Sequence, residues 1–174
     1  MALPVAVGQL GHIMMGVVDS IMVGKVSTTA LAASALVSGL YAIGLVAAIG
    51  MSFGLSTLTA IANGERRPGR SGLILNNALI LYTAFSLILF LILYTGADIV
   101  FFLNQPPAVA VQAFTYMKIV SFSIIPLMLF QTYRQFLEGH SDVITPMIIA
   151  ISMNLFNGFF NWIFIFGKFG MDPL

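Results

Sequence analysis

The sequence predicts an all-α polytopic membrane protein, a helical bundle that crosses the bilayer several times. Apolar residues make up 59% of the chain and charged residues 7%, against about 45–50% and about 25% in soluble globular domains. No charged residue occurs in the stretches 26–64, 71–97 and 143–167. Each stretch is longer than the roughly 20 residues that cross a bilayer core as a helix.

Polar breaks divide residues 1–174 into five predicted helices that form one partial transmembrane domain. The predicted segments are 3–23, 30–62, 73–94, 107–137 and 144–166. The second and fourth exceed the length that a core about 30 Å thick requires, so we expect tilt or protrusion. Pro126 lies inside the fourth segment and predicts a kink there, because proline cannot donate the helical hydrogen bond.

Basic residues predict the orientation in the membrane. The loops after the second and fourth segments carry four arginines, namely Arg66, Arg67, Arg70 and Arg134. The other side holds Lys25 and Lys168, with Lys118 inside the fourth segment. By the positive-inside rule, the arginine-rich loops and the N-terminus face the cytoplasm.

Composition also excludes several classes of function. A net charge of +1 does not suggest a nucleic-acid partner, and the absence of cysteine excludes disulfides and thiolate sites. There is no zinc-protease motif, no phosphate-binding glycine loop and no second carboxylate near Asp19 in the first segment. We therefore expect neither an enzyme nor an organic cofactor.

Asp19 is the most informative single residue. It lies within the first apolar segment, with no other charge before it and none after it until Lys25. A membrane-embedded Asp costs roughly 2.5–3.5 kcal/mol at a helix centre, and the helix dipole near the C-terminus disfavours negative charge further. Asp19 therefore needs a compensating partner.

The fifth segment offers such partners in Asn154, Asn157 and Asn161, which share one helical face. The first and fifth segments cross the membrane in the same direction, which puts Asp19, Asn157 and Asn161 at a similar depth in the outer half. A carboxylate with two amide oxygens is a plausible site for Na⁺, or for a proton at the carboxylate. Alternatively, the asparagines only join helices by hydrogen bonds, and Asp19 reaches the outer interface; Asn154 fits packing best.

Three further residues are candidates for lining a cavity: Gln131, one turn beyond Pro126, Tyr41 in the second segment, and Asn154. The abundant Met and Phe side chains could form an adaptable apolar wall, although lipid-facing bulk is the more common explanation.

Together these motifs resemble the multidrug and toxic compound extrusion (MATE) family. The first segment contains Pro4…Gly8-Gln9-Leu10…Met15-Gly16-Val17-Val18-Asp19-Ser20, then Met22-Val23-Gly24 and Leu31-Ala32-Ala33. A second match is Arg134-Gln135-Phe136-Leu137-Glu138-Gly139 with Thr145-Pro146-Met147. A third runs from Asn154-Leu155-Phe156-Asn157 through Asn161-Trp162 to Gly167-Lys168-Phe169-Gly170. The order of the motifs is that of the family over nearly the whole chain.

The resemblance implies most of one six-helix lobe of a twelve-helix exporter that expels amphipathic, often cationic drugs by Na⁺- or H⁺-driven antiport. It assigns Asp19, Asn157 and Asn161 to the cation site of the N-terminal lobe. Asn at position 161 is similar to the bacterial branch often coupled to Na⁺, whereas another branch has Asp there. The expected location is the bacterial inner membrane, with the lipid bilayer, drugs or toxic organic cations and a C-terminal lobe as partners.

The chain supplies five of the family's twelve helices, so we expect a longer parent protein and a natural start before Met1. Two alternatives remain open from the sequence. One is a lipid-linked saccharide flippase of the same superfamily, which would need several basic residues in its cavity. The other is a truncated membrane fragment without transport activity.

Overall fold

A computed structural model describes residues 2–66 and 68–165, which are almost entirely helical. Six α-helices and one 3-10 helix follow in order: α1 (Ala2–Gly24), α2 (Thr28–Gly64), α3 (Pro68–Thr95), the 3-10 helix Gly96–Phe102, α4 (Pro107–Ser121), α5 (Ile124–Gly139) and α6 (Ile144–Ile165). The described residues contain no β-strand, which confirms the all-α prediction. The predictions made for Arg67, Phe166 and Lys168 lie outside the described residues.

Membrane-spanning helices are present among the described residues. Thr28–Gly64, Gly69–Phe102 and Ile144–Ile163 are each long and apolar enough to cross a bilayer, and the bent pair α4 and α5 makes a fourth span if it is counted as one. The searched part of α1, Met14–Gly24, is a shorter apolar helix. Large apolar side chains cover these helices on the outside, for example Ile43 at 73% and Leu155 at 72% exposure, as expected for surfaces in lipid.

The predicted segment 107–137 is two helices rather than one. Helix α4 ends at Ser121, α5 begins at Ile124, and the two axes are bent by 43°. Pro126 explains where the break lies, because it has no N–H to donate to the carbonyl of Phe122 four residues earlier. The backbone tightens there into short-range bonds, with the Ser123 N–H donating to the carbonyl of Val120 at 2.9 Å.

Contacts divide the chain into two compact units, residues 1–35 with 143–174 and residues 36–142. In the first unit, α1 packs along α6. The start of α2 is capped by Ser27, whose hydroxyl oxygen accepts a hydrogen bond from the Ala30 N–H at 2.9 Å. This cap satisfies one of the free amides of the first turn, so the helix begins at Thr28 rather than at the predicted residue 30.

In the second unit, the later part of α2 packs with α3 and α5 around an apolar cluster. The buried members are Ala48, Leu55, Ala78, Tyr82, Ile124 and Met128. The hydroxyl of Tyr82 donates to the carbonyl of Met51 at 3.1 Å, so the one polar atom of this ring is satisfied inside the cluster.

One end of the second unit holds both of its arginine-bearing segments. His140, just after α5, has its Nε2 atom 3.1 Å from the hydroxyl of Ser71 in the first turn of α3. The start of α3 and the end of α5 therefore lie at the same end. Ion pairs form nearby within each segment: Arg70 with Glu65 at 2.5 Å and Arg134 with Glu138 at 2.8 Å.

Candidate functional site

Helix α1 holds Asp19 about one turn before its end. The carboxyl group is partly buried, and its neighbours on the helix, Gly16 and Ser20, are small. The Ser20 hydroxyl donates to the carbonyl of Gly16 at 2.8 Å, so this hydroxyl is satisfied within α1. The partners of Asp19 come instead from α6, the helix that packs along α1.

Asn161 of α6 contacts Asp19 directly. Its side-chain Nδ2 donates to Asp19 Oδ1 at 2.5 Å and also to Asn157 Oδ1 at 3.3 Å. Asn157 is four residues earlier on the same face of α6, and Asn161 links it to the Asp19 carboxyl group. The structure thus brings together the three residues that the sequence singled out as a cation site.

The direction of these hydrogen bonds defines what the cluster can do. A carboxylate only accepts hydrogen bonds, and a side-chain amide has two N–H donors and one carbonyl. Asn161 directs both donors into the cluster, one to Asp19 and one to Asn157. The arrangement stabilises the ionised carboxylate, with no cation or proton bound to it, in a low-dielectric region where a charge without partners would be costly.

The amide carbonyls of Asn157 and Asn161 are the further oxygens available to a cation. Among the described residues, no group of three or more His, Cys, Asp and Glu side chains could hold a metal ion. A cation at this position would therefore be held by one carboxylate and neutral amide oxygens. That donor set suits a hard monovalent ion such as Na⁺ better than a transition metal.

Asn154 is half-buried on α6, two turns before Asn161. Within the described part of the chain, no hydrogen bond joins it to Asp19 or Asn161. Its position on the same face agrees with a packing role, and its possible place in a cavity stays a prediction.

Gln131 lies in the second unit, inside the contact between α5 and α2. Its exposed fraction is 7%, and its Nε2 donates to the hydroxyl of Ser52 at 3.2 Å. The Ser52 hydroxyl in turn donates to the carbonyl of Ile49 at 2.7 Å. Gln131 is therefore a buried interhelical link within this unit, and a cavity-lining role remains a prediction.

Tyr41 connects α2 to the break between α4 and α5. Its hydroxyl is 3.1 Å from the hydroxyl of Ser123, which itself donates to the carbonyl of Val120 at 2.6 Å. Tyr41 is therefore the donor of this pair. Sequence reasoning missed the partners Ser52 and Ser123.

Comparison with known proteins gives a consistent result. A family model described as MatE matches residues 4–163. The multidrug resistance protein NorM is 29% identical in Photobacterium profundum and 30% identical in Vibrio cholerae, each over 174 residues. The multidrug resistance protein MdtK of Pectobacterium atrosepticum is 31% identical over 175 residues. The chain spans 38% of the length of each of these relatives.

A solved structure shares the fold. It is a MOP superfamily transporter from Pyrococcus furiosus, with a TM-score of 0.83 and 20% identity, covering 98% of this chain and 38% of that one. That protein is described as having a binding pocket of reverse polarity, which suggests a different function for it. At this identity the likeness shows the fold alone.

Proposed function

The chain belongs to the MatE family, and on that premise we propose that it supplies the cation-coupling site of an exporter for amphipathic, often cationic compounds. Members of this family are transporters rather than enzymes and need no organic cofactor. Similarity to NorM and MdtK, both named as multidrug resistance proteins, supports drugs as the cargo. Because the chain spans 38% of these relatives, the activity is that of the whole protein.

The observation that carries the proposal is the hydrogen bond of 2.5 Å between Asn161 on α6 and Asp19 on α1. It joins the one acid of α1 to a polar face of a helix that is otherwise rich in Ile and Phe. Ionisable residues inside membrane segments are expensive, and they commonly mark ion or proton pathways. The pairing therefore supports a coupling role for Asp19, with Asn157 and Asn161 as its partners.

The two possible coupling ions make different demands on Asn161. A proton on the other carboxyl oxygen of Asp19, Oδ2, leaves the bond from Asn161 Nδ2 to Asp19 Oδ1 in place. A sodium ion against the carboxylate would be repelled by that N–H group, so the amide of Asn161 must turn over and present its carbonyl oxygen. Asn157 Oδ1, no longer bonded to Asn161, would then be free to bind the same ion.

Coupling between ion entry and drug export follows because Asp19 is either a free carboxylate or one that has bound a cation or a proton. Loading a cation or a proton neutralises the carboxylate, so its attraction for a cationic drug is lost. It also changes the hydrogen bonds between α1 and α6, so the two helices can rearrange. An ion or drug shifts this equilibrium only through its different affinity for the two arrangements, and alternating access requires a second body that moves against the first.

We place this chain in the bacterial inner membrane with its N-terminus and both arginine-bearing segments in the cytoplasm. The positive-inside rule supports this orientation, and the contact between Ser71 and His140 supports a common side for the two arginine-bearing segments.

The direct test is the variant Asp19→Asn, expressed from the native gene in a drug-sensitive bacterium. The change removes the charge and keeps the shape, so we expect drug resistance to be lost while the amount of protein in the membrane is unchanged. The matched control is Asp98→Asn, which neutralises an exposed acid in the 3-10 helix and should leave resistance intact. Full resistance in the Asp19→Asn strain would contradict the proposal.

A further inference from the structure

The contact between α2 and α5, inside the unit 36–142, contains a row of polar side chains. Ser52 of α2 meets Gln131 of α5 through their hydrogen bond. Farther along both helices, Thr59 and Ser56 of α2 lie against Gly139. A Cβ atom on Gly139 would be 2.6 Å from the Thr59 Cβ and 2.8 Å from the Ser56 carbonyl oxygen. The two helices therefore run in the same direction and approach very closely at this end.

Two polar atoms in this contact have no hydrogen-bond partner. They are Thr59 Oγ1 and Gln135 Oε1, the buried side-chain N and O atoms of the described residues that are left unsatisfied. The residues themselves are 0% and 1% exposed. Other buried polar side chains of these two helices are satisfied, since Gln131 donates to Ser52 at 3.2 Å and Thr132 of α5 donates to the carbonyl of Met128 at 2.7 Å.

The two unsatisfied atoms belong to one place rather than to two. Gln135 precedes Gly139 by four residues, so it occupies the same face of α5 one turn earlier. Thr59 packs directly on Gly139. Buried polar groups in proteins are almost always paired, and an orphaned one commonly indicates a bound water or ion. Because Thr59 and Gln135 both lie next to Gly139 in this contact, we infer that the two orphaned oxygens share one partner.

We propose that a water molecule binds between α2 and α5, where it accepts a hydrogen bond from the Thr59 hydroxyl and donates one to Gln135 Oε1. A water with partners on both helices replaces the direct bond that these side chains do not make. Gln135 has several rotatable bonds, so a small rotation of its side chain makes room. The water joins the two helices beyond the Ser52–Gln131 link, one turn farther along α5 and about two turns farther along α2, and completes the polar row.

A source of water lies next to this site. A groove of about 590 Å³ is lined by Ser56, Thr57, Ala60, Ile61, Glu138 and Gly139, and it shares Ser56 and Gly139 with the contact. Thr59 and Gln135 are each little more than one turn from the end of their helix, close to the membrane surface. A cation is a poorer fit, because both orphaned oxygens are neutral and the nearby Glu138 is already paired with Arg134 at 2.8 Å.

The sign of a stability change tests the proposal. Thr59→Val keeps the side-chain shape and removes the hydroxyl, and Gln135→Leu removes the amide. If a water links them, each variant lowers the thermal unfolding midpoint by several degrees in lipid nanodiscs, and the double variant loses little more than either single one. If the atoms are simply unpaired, removing either relieves a penalty and raises the midpoint. A higher or unchanged midpoint in both single variants would overturn the proposal.

Two controls separate the hydroxyl from the packing. In the Thr59→Ser background, which keeps the hydroxyl, Gln135→Leu should lower the unfolding midpoint as much as it does in the native protein. In the Thr59→Val background, which lacks the hydroxyl, Gln135→Leu should lower the midpoint little further. Thr132→Val removes a hydroxyl that bonds within α5, so its effect should add to that of Thr59→Val.

A high-resolution experimental structure identifies the partner. We expect a density peak within hydrogen-bond distance of Thr59 Oγ1 and Gln135 Oε1, and its loss in Thr59→Val. A direct bond between the two side chains would overturn the proposal. The unfolding midpoint of the native protein could also differ between sodium, potassium and N-methylglucamine chlorides, with the difference lost in Gln135→Leu. That result would overturn the proposal too, because a cation would then occupy the site.

Discussion

The hydrogen bond between Asp19 and Asn161 should appear as an energetic coupling between α1 and α6. We consider the variants Asp19→Ala and Asn161→Ala, alone and combined. Each single change removes the bond of 2.5 Å and leaves the other partner in an apolar environment. The double change removes both groups. The sum of the losses in unfolding free energy from the two single changes should therefore exceed the loss from the double change.

The size of the coupling follows from the chemistry of the pair. A hydrogen bond to a charged group contributes about 1.5–3 kcal/mol in soluble proteins. Within membranes the average interhelical bond contributes about 0.6 kcal/mol and the strongest about 1.7, because the unfolded helices also find partners in the bilayer. Asp19 is a carboxylate with a close donor, so we expect a coupling of about 1.5 kcal/mol, near the upper limit.

The assay is the free energy of unfolding of the four proteins in mixed micelles under a denaturing detergent. Asn154→Ala, combined with Asp19→Ala, is the matched control, because Asn154 lies on the same helix face without a hydrogen bond to Asp19 among the described residues. Its effect should add to that of Asp19→Ala. Additivity of Asp19→Ala with Asn161→Ala to within about 0.5 kcal/mol, the usual result for independent sites, would refute the reasoning.

Three other predictions concern the scaffold. Gly139→Ala should lower the unfolding midpoint in detergent, since its methyl group would sit 2.6 Å from the Thr59 Cβ and overpacking costs about 1–3 kcal/mol. Pro126→Ala restores the missing amide donor and should reduce the 43° bend between α4 and α5, measured as a longer distance between spin labels on the two helices. The chain has no cysteine, so single cysteines at Asn63 and Gln105 should react with an impermeant maleimide from the cytoplasmic and the outer side, respectively.

Each of these has a control and a contrary outcome. Gly54→Ala adds the same methyl group where nothing lies within 4 Å, so equal losses at both glycines would remove the steric explanation. An unchanged spin-label distance would show that Pro126 does not cause the bend. Labelling with the sides exchanged would reverse the proposed orientation.

The sequence predicted the helical membrane fold well because that information is local. Uncharged stretches longer than 20 residues leave few structures other than spanning helices, since every backbone polar group must be satisfied inside the segment. The exact position at which the fourth predicted segment breaks into α4 and α5 was harder to predict from the sequence. Pro126 predicted a kink, but the break lies several residues earlier at Phe122 and Ser123, where the carbonyl that lost its donor is located.

The candidate site shows the same limit. Helical spacing placed Asn157 and Asn161 on one face, and the burial cost of Asp19 required a partner of this kind. The Asn161 amide directs an N–H group rather than its carbonyl to Asp19. This orientation depends on the three side chains together, so no pattern in the sequence predicts it. The link from Gln131 to Ser52 likewise depends on which helices are neighbours, and spacing along one helix does not carry that information.

We propose that Asp19, held by Asn161 and Asn157, couples cation entry to drug export. The most direct measurement is efflux of a fluorescent cationic dye from proteoliposomes containing the protein from its native gene, driven by an imposed sodium or proton gradient. We predict that one of these gradients drives efflux by the native protein and that neither drives efflux by Asp19→Asn. Gradient-driven efflux by Asp19→Asn at the native rate would contradict the account.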